Sequence, residues 1–242
     1  MSLPDNTIWH LYHSANALTI DGKLLIFDYA TPADDRPKGA GLAQGFVADE
    51  DLSSQDVYVF ASHAHSDHFN EVILGWRPKG GRITHILSFD IASCPDSAYL
   101  VEPRKTLELD GLKVVTYPST DEGVAFSVYA GGRHIYFAGD NAFWNWEGNR
   151  SEKAYIRDVL SQIDDGQPID IGFQICDPRL EGKGEGGIYI FAQALNPGLL
   201  VPIHSFGKYA INRKAEKKLK SKGFKNTFWC VKDRGDTFSF AP

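Results

Sequence analysis

The segment "FASHAHSDHFNE", Phe60 to Glu71, decides how the chain is read. His63, His65, Asp67 and His68 follow directly on the apolar run "VYVF". His63 and His65 are two apart, so at the end of an extended strand both point the same way, while Asp67 and His68 approach from the turn that follows. A lone His in a strand is ordinarily a packed or solvent-facing residue. Four metal-capable groups in H-x-H-x-D-H spacing form a far more specific pattern, that of a metal site. Imidazole and carboxylate donors suit Zn²⁺, with Fe or Mn open to the same ligands. Two half-sites on one turn suit two cations about 3.5 to 4 Å apart, a hydrolytic clamp.

Outward from the cluster, strands come in groups. "TIWHLYH" and "ALTIDGKLLIFDY" precede it, the latter turning at Asp21-Gly22. "ITHILSF", "KTLELDGLKVVTY" and "VAFSVYAGGRHIYFAGD" follow, with hairpin turns expected at Asp110-Gly111 and Gly131-Gly132. Later come "DIGFQIC", "GLLVPIHS", "TFWCV" and "TFSF". Helices are expected in "HFNEVILGW", in "SEKAYIRDVLSQID" opened by Ser151, in "IYIFAQAL", and in "INRKAEKKLKSKGF" closed by Gly223. Strand groups interleaved with helices predict an α/β fold, a four-layer αββα sandwich of two mixed sheets face to face with helices outside. No repeat or low-complexity linker divides the sequence, so residues 1–242 are expected to form a single domain, or two tightly fused halves.

The formal net charge of −6 argues against a surface built to track a polyanion, and nucleic acid is not the expected partner. The basic stretch "NRKAEKKLKSKG" has a helical period and includes Glu216, which reads as a solvated helix face. Cys94, Cys176 and Cys230 are scattered and form no C-x-x-C pair, so a reducing, cytoplasmic setting is expected. The N-terminal segment has no signal-peptide pattern, and no apolar run approaches the roughly 20 residues of a membrane span.

With the cluster, two further segments resemble the metallo-β-lactamase-fold hydrolases, and they occur in that superfamily's order. "IYFAGD" ends in Asp140, like the strand end whose Asp bridges both metals; "LLVPIHS" contains His204, like the late strand that delivers the final His ligand. The resemblance implies that His63 and His65 serve the first metal and that Asp67, His68 and His204 serve the second, with Asp140 shared. It implies a hydrolase in which a hydroxide held by the second metal and Asp140 attacks an ester, lactone or phosphodiester of a small or medium-sized substrate. Asp67 ligates, orients the nucleophile and moves its proton.

One departure stands out. Where family members place a third His for the first metal, this chain reads "YPSTDEGVAF", with Ser119 at or near the missing position. The segment resembles a branch of the superfamily with Ser-Thr-Asp-Glu-Gly at that place. Serine is a poor zinc ligand, so either Asp121 or Glu122 turns inward, or "STDEG" is an ordinary polar turn. The expected complement is therefore one or two ions.

"LYHSANALTIDGKLLIFDYA" resembles the opening of the branch with lactonases and lipid phosphodiesterases, at His13 and Asp28. True β-lactamases, secreted and usually with Cys at the place of Asp140, are less similar. Trp144, in "GDNAFWNWEGN", is expected to line a substrate pocket or pack in a lid, as is Trp146. Asp177 and Arg179 would anchor a polar substrate or form a structural ion pair. Lys208 and Tyr209 are candidate anion contacts, and "GKGEGG" is expected to be a flexible loop. Two other readings remain open: a metal- or ligand-binding protein of this fold without turnover, and a diiron oxidoreductase. The last is disfavoured by His65, which stands where such relatives usually carry Glu.

Overall fold

The computed structural model describes residues 3–30, 36–53, 55–78, 80–163, 165–180 and 183–241. The chain divides into two compact units, one of Met1–Glu102 with Asp233–Pro242, the other of Pro103–Lys232.

The first unit is built on β1 (Thr7–Tyr12), β2 (Ala15–Ile20), β3 (Lys23–Phe27), β4 (Asp56–Ala61), β5 (Ile83–Ser88) and β6 (Tyr99–Val101). The second carries β7 (Thr106–Leu109), β8 (Leu112–Pro118), β9 (Val124–Ala130), β10 (Arg133–Phe137), β11 (Ile171–Ile175), β12 (Leu199–Ile203) and β13 (Thr227–Phe228). The last strand, β14 (Thr237–Ser239), returns to the first sheet beside β1, giving the order β14-β1-β2-β3-β4-β5-β6. The second sheet runs β13-β12-β11-β10-β9-β8-β7.

Both sheets follow one plan. Pairings are antiparallel from β14 through β3 and parallel from β3 through β6; likewise they are antiparallel from β7 through β10 and parallel from β10 through β13. Strands in parallel pairing read as continuous apolar runs when both faces are covered. Leu24 to Phe27 and Val57 to Ala61 are buried throughout, and Phe27 stacks on Phe60 at 4.7 Å. One apolar cluster of the first unit includes Trp9, Leu24, Ile26, Val57, Val59 and Leu87.

The expected hairpins form. Asp21 and Gly22 both have positive φ, as do Gly131 and Gly132, the backbone of a tight turn that matches strand twist. Helices α1 (Glu152–Tyr155) and α2 (Ser161–Ile163) are joined by a π turn (Ile156–Leu160), and Ser151 opens the run by accepting from the Ala154 amide. Helix α4 (Ala210–Ser221) lies where the basic period placed it.

Two expectations are corrected. "HFNEVILGW" holds only a 3-10 helix, Glu71–Gly75, because the Asn70 side chain caps the Val72 amide and starts the helix after the histidines. Gly182 lies outside the described residues, and over Gly184–Gly187 "GKGEGG" is helix rather than loop, the start of α3 (Gly184–Leu195). Its glycine is needed for close approach, since a Cβ on Gly184 would lie 2.0 Å from the Asp177 carbonyl oxygen. Among the described residues no helix is long and apolar enough to cross a membrane.

Candidate metal centre

In the first unit the chemistry collects after β3 and β4, at the C-terminal ends of parallel strands where α/β sheets place ligands. Asp28 follows β3 with φ 44°, a left-handed backbone costly to a non-glycine residue, and its amide extends the ladder to the Phe60 carbonyl. Its carboxylate is fully buried and accepts three hydrogen bonds of 2.7 Å, from the Ser62 amide, Ser62 Oγ and His68 Nδ1. The Ser62 hydroxyl has one proton and gives it to Asp28, so at 2.9 Å it accepts from His63 Nδ1. Both His63 and His68 are thus protonated on Nδ1 and carry their lone pair on Nε2.

Asp67 lies beside them, half-buried. His13, in the turn between β1 and β2 with φ 50°, sets its Nε2 3.3 Å from Asp67 Oδ2, and His68 Nε2 is 4.0 Å from the same oxygen. One ligand atom from each of His13, Asp67 and His68 falls within 4.8 Å of the others. Burial pushes the Asp67 carboxyl up, but the contributions led by the His13 hydrogen bond outweigh it and hold the group well below the usual carboxylate range. His65 is exposed, with its ring edge-on to His63 at 4.6 Å.

The second unit repeats the device after β10, β11 and β12. Asp140 follows Gly139, whose φ of 52° makes the turn, and its Oδ1 is 3.2 Å from His204 Nε2. His204 follows β12 in the left-handed region, φ 69°, and its Nδ1 is 2.9 Å from Asp177 Oδ2. Asp177 follows β11, fully buried, and takes the Arg179 amide at 2.7 Å and its guanidinium at 2.9 and 2.7 Å. Burial raises its pKa, but the bonds from His204 and Arg179 bring it down to about 2. Of the two roles open to Asp177 and Arg179, this is the ion pair, and it orients His204.

The "STDEG" segment is a polar turn. Ser119 Oγ accepts from the Asp121 amide at 3.1 Å, Asp121 and Glu122 are exposed, and Gly123 exits with φ 69°. Its contribution is Thr120, which donates to the Ala142 carbonyl and accepts from the Ala142 amide, both at 2.8 Å, bracing the loop after Asp140.

Trp144 is buried, donates Nε1 to the Asp140 carbonyl at 3.0 Å, and meets the His204 ring edge-on at 5.7 Å. Lys208 is exposed; Tyr209 lines a separate small cavity with Ala210, Arg213 and Lys232. Sequence reading gave His13, Asp28 and Thr120 no site role. The first two were visible only as a resemblance, and the signal that finds them is a polar residue ending an apolar strand.

The donors suit a divalent cation. Imidazoles fixed through Nδ1 by buried carboxylates are the usual outer support of metal-ligating His, and Asp67 and Asp140 add hard oxygens.

No protein-family model matches the chain, and no curated protein matches it in sequence. Solved structures do match in fold. Igni18, a metallo hydrolase from Ignicoccus hospitalis, superposes with TM-score 0.64 at 17% identity, covering 97% of this chain and 98% of its own. CmlA, a diiron β-hydroxylase from Streptomyces venezuelae, gives TM-score 0.66 at 16% identity over 98% of this chain, which spans only 55% of CmlA. YhfI from Bacillus subtilis, a metallo-β-lactamase fold protein, gives 0.62 at 14% identity over 97% of this chain and 98% of its own. The chain has the metallo-β-lactamase fold, as the sequence resemblance implied.

Proposed function

We propose that the chain is a metal-dependent hydrolase acting on an ester, lactone or phosphodiester of a small or medium-sized molecule. The observation that carries this reading is the twice-used carboxylate–imidazole pair, Asp28–His68 and Asp177–His204. The residues that would hold metal are His63, Asp67 and His68 in one unit and Asp140 and His204 in the other, with His65 at the exposed side of His63. Zn²⁺ is the expected ion, one or two per chain, with Mn or Fe compatible with the same donors. When bound, such an ion supplies Lewis acidity, acidifying water and polarising the electrophile's oxygen.

The chain's own residues do the rest. Asp28 and Asp177 hold the imidazoles in the tautomer that presents Nε2. Asp67, held ionised by His13, accepts a hydrogen bond from the attacking water and aligns it. The test is turnover of p-nitrophenyl acetate, an N-acyl homoserine lactone and bis-p-nitrophenyl phosphate by metal-loaded protein, with His204→Ala as control. Turnover of at least one, lost in the variant, is expected; none with any metal counts against the reading.

A second reading, metal or ligand binding without turnover, is favoured by the "STDEG" turn, where Asp121 is exposed. A third, a diiron oxidoreductase, is favoured only by the fold shared with CmlA. It would require iron as the purified metal and consumption of O₂.

A further inference from the structure

We propose that the loop after Asp140 is a substrate subsite for an aromatic ring carrying an anionic group, a carboxylate or its equivalent; this rests on the hydrolase reading and names its substrate class. The loop borders an open cleft of about 210 Å³ lined by Trp144, Trp146, Glu147, Asn149 and Arg150. Roughly 150 Å³ suffices for benzene in an apolar cavity, so one ring and a small polar substituent fit.

The wall is rigid. Trp144 and Trp146 stack nearly coplanar, 5° apart at 5.6 Å, and Trp144 is pinned by its bond to the Asp140 carbonyl. Trp146 is 54% exposed, so its outer face is open to a ligand. The loop closes on itself: Asn145 accepts from the Arg150 amide at 3.0 Å and the Gly148 amide at 3.2 Å.

The charge is equally specific. The Arg150 guanidinium is exposed and has no hydrogen bond or ion pair among the described residues. Lys183 reaches the same loop, its Nζ 3.5 Å from the Asn145 carbonyl. Glu147, the acid of the cleft wall, accepts a hydrogen bond from Asn149 Nδ2 at 2.8 Å. Arg179 lies over the Trp146 ring at 5.8 Å, but its charge is already matched by Asp177. A ligand ring therefore meets indole, and its anion meets Arg150. The Trp144 ring also contacts His204, so a molecule seated here has its remainder next to a proposed metal ligand.

The test is a ¹⁹F NMR titration of metal-stripped full chain with 4-(trifluoromethyl)benzoate and with the neutral 4-(trifluoromethyl)benzyl alcohol. The benzoate should bind about tenfold more tightly, the scale of one charge-assisted pair. Arg150→Gln should erase that difference and Arg150→Lys partly restore it. Trp146→Ala should weaken both probes, and all three variants should keep the wild-type metal content. Equal binding of the two probes, binding of neither, or indifference to both positions would overturn the subsite. Ester turnover is measured separately on metal-loaded protein: charge discrimination without turnover removes the hydrolase reading and leaves the subsite, and turnover without discrimination does the reverse.

Discussion

Both units fix a histidine by bonding its Nδ1 to a buried carboxylate, but they neutralise that carboxylate differently. In the first, Asp28 is answered by the Ser62 amide and hydroxyl and by His68, all fully buried. In the second, Asp177 is answered by His204 and by Arg179, whose side chain is 47% exposed. Dipoles in a dry pocket work only at full geometry, and removing their partner strands them. A half-exposed guanidinium can turn to water instead. The first unit's imidazole is thus the rigidly held one and the second unit's the adjustable one.

The largest effect should separate them at once. Asp28→Ala leaves three buried donors unsatisfied and should cost about 3 kcal/mol or more in urea unfolding, whereas Asp177→Ala should cost about 1–2 kcal/mol. Equal losses would break the contrast. Next, Asp177→Asn should weaken metal binding roughly 10- to 100-fold in chelator competition, and Arg179→Met only a few-fold, because the Arg supports the carboxylate and not the imidazole.

Stability against pH sharpens the picture within the first unit. His10 is buried in β1 with its pKa lowered to about 4 by burial, against a hydrogen bond it donates to Asn16 Oδ1 that raises it. The unfolded chain then binds a proton that the fold refuses, so stability is full above about pH 6.5, falls towards pH 4, and levels off below. His10→Asn should flatten that slope in metal-free protein; an unchanged slope would assign it elsewhere. The smallest effect is expected from Asp121→Ala, whose side chain is exposed: metal content should not move by plasma mass spectrometry.

Much of this was legible in the sequence because it rests on local signals. The H-x-H-x-D-H cluster, "IYFAGD" and "LLVPIHS" each place a polar residue at the end of an apolar strand, and the hairpins announce themselves by Asp-Gly and Gly-Gly. The misses are long-range. Asp28 holds Ser62 and His68 across 34 and 40 residues, and nothing near Asp28 in the chain says so. Gly184 looked flexible because its reason, the backbone of Asp177, becomes visible only when α3 packs. The shared plan of the two sheets has no repeat in the sequence, since it lives in strand pairing. Helix formation after the histidines was overestimated because the apolar spacing of "HFNEVILGW" outweighed the capping signal of Asn70.

The measurement that tests the account most directly is the metal content of protein purified without added metal, for wild type, His68→Ala and His204→Ala. The account predicts one or two equivalents of Zn, Mn or Fe in the wild type and a loss of at least one in each variant. A wild-type complement retained in both would contradict it, because the two imidazoles that the buried carboxylates orient would then hold nothing.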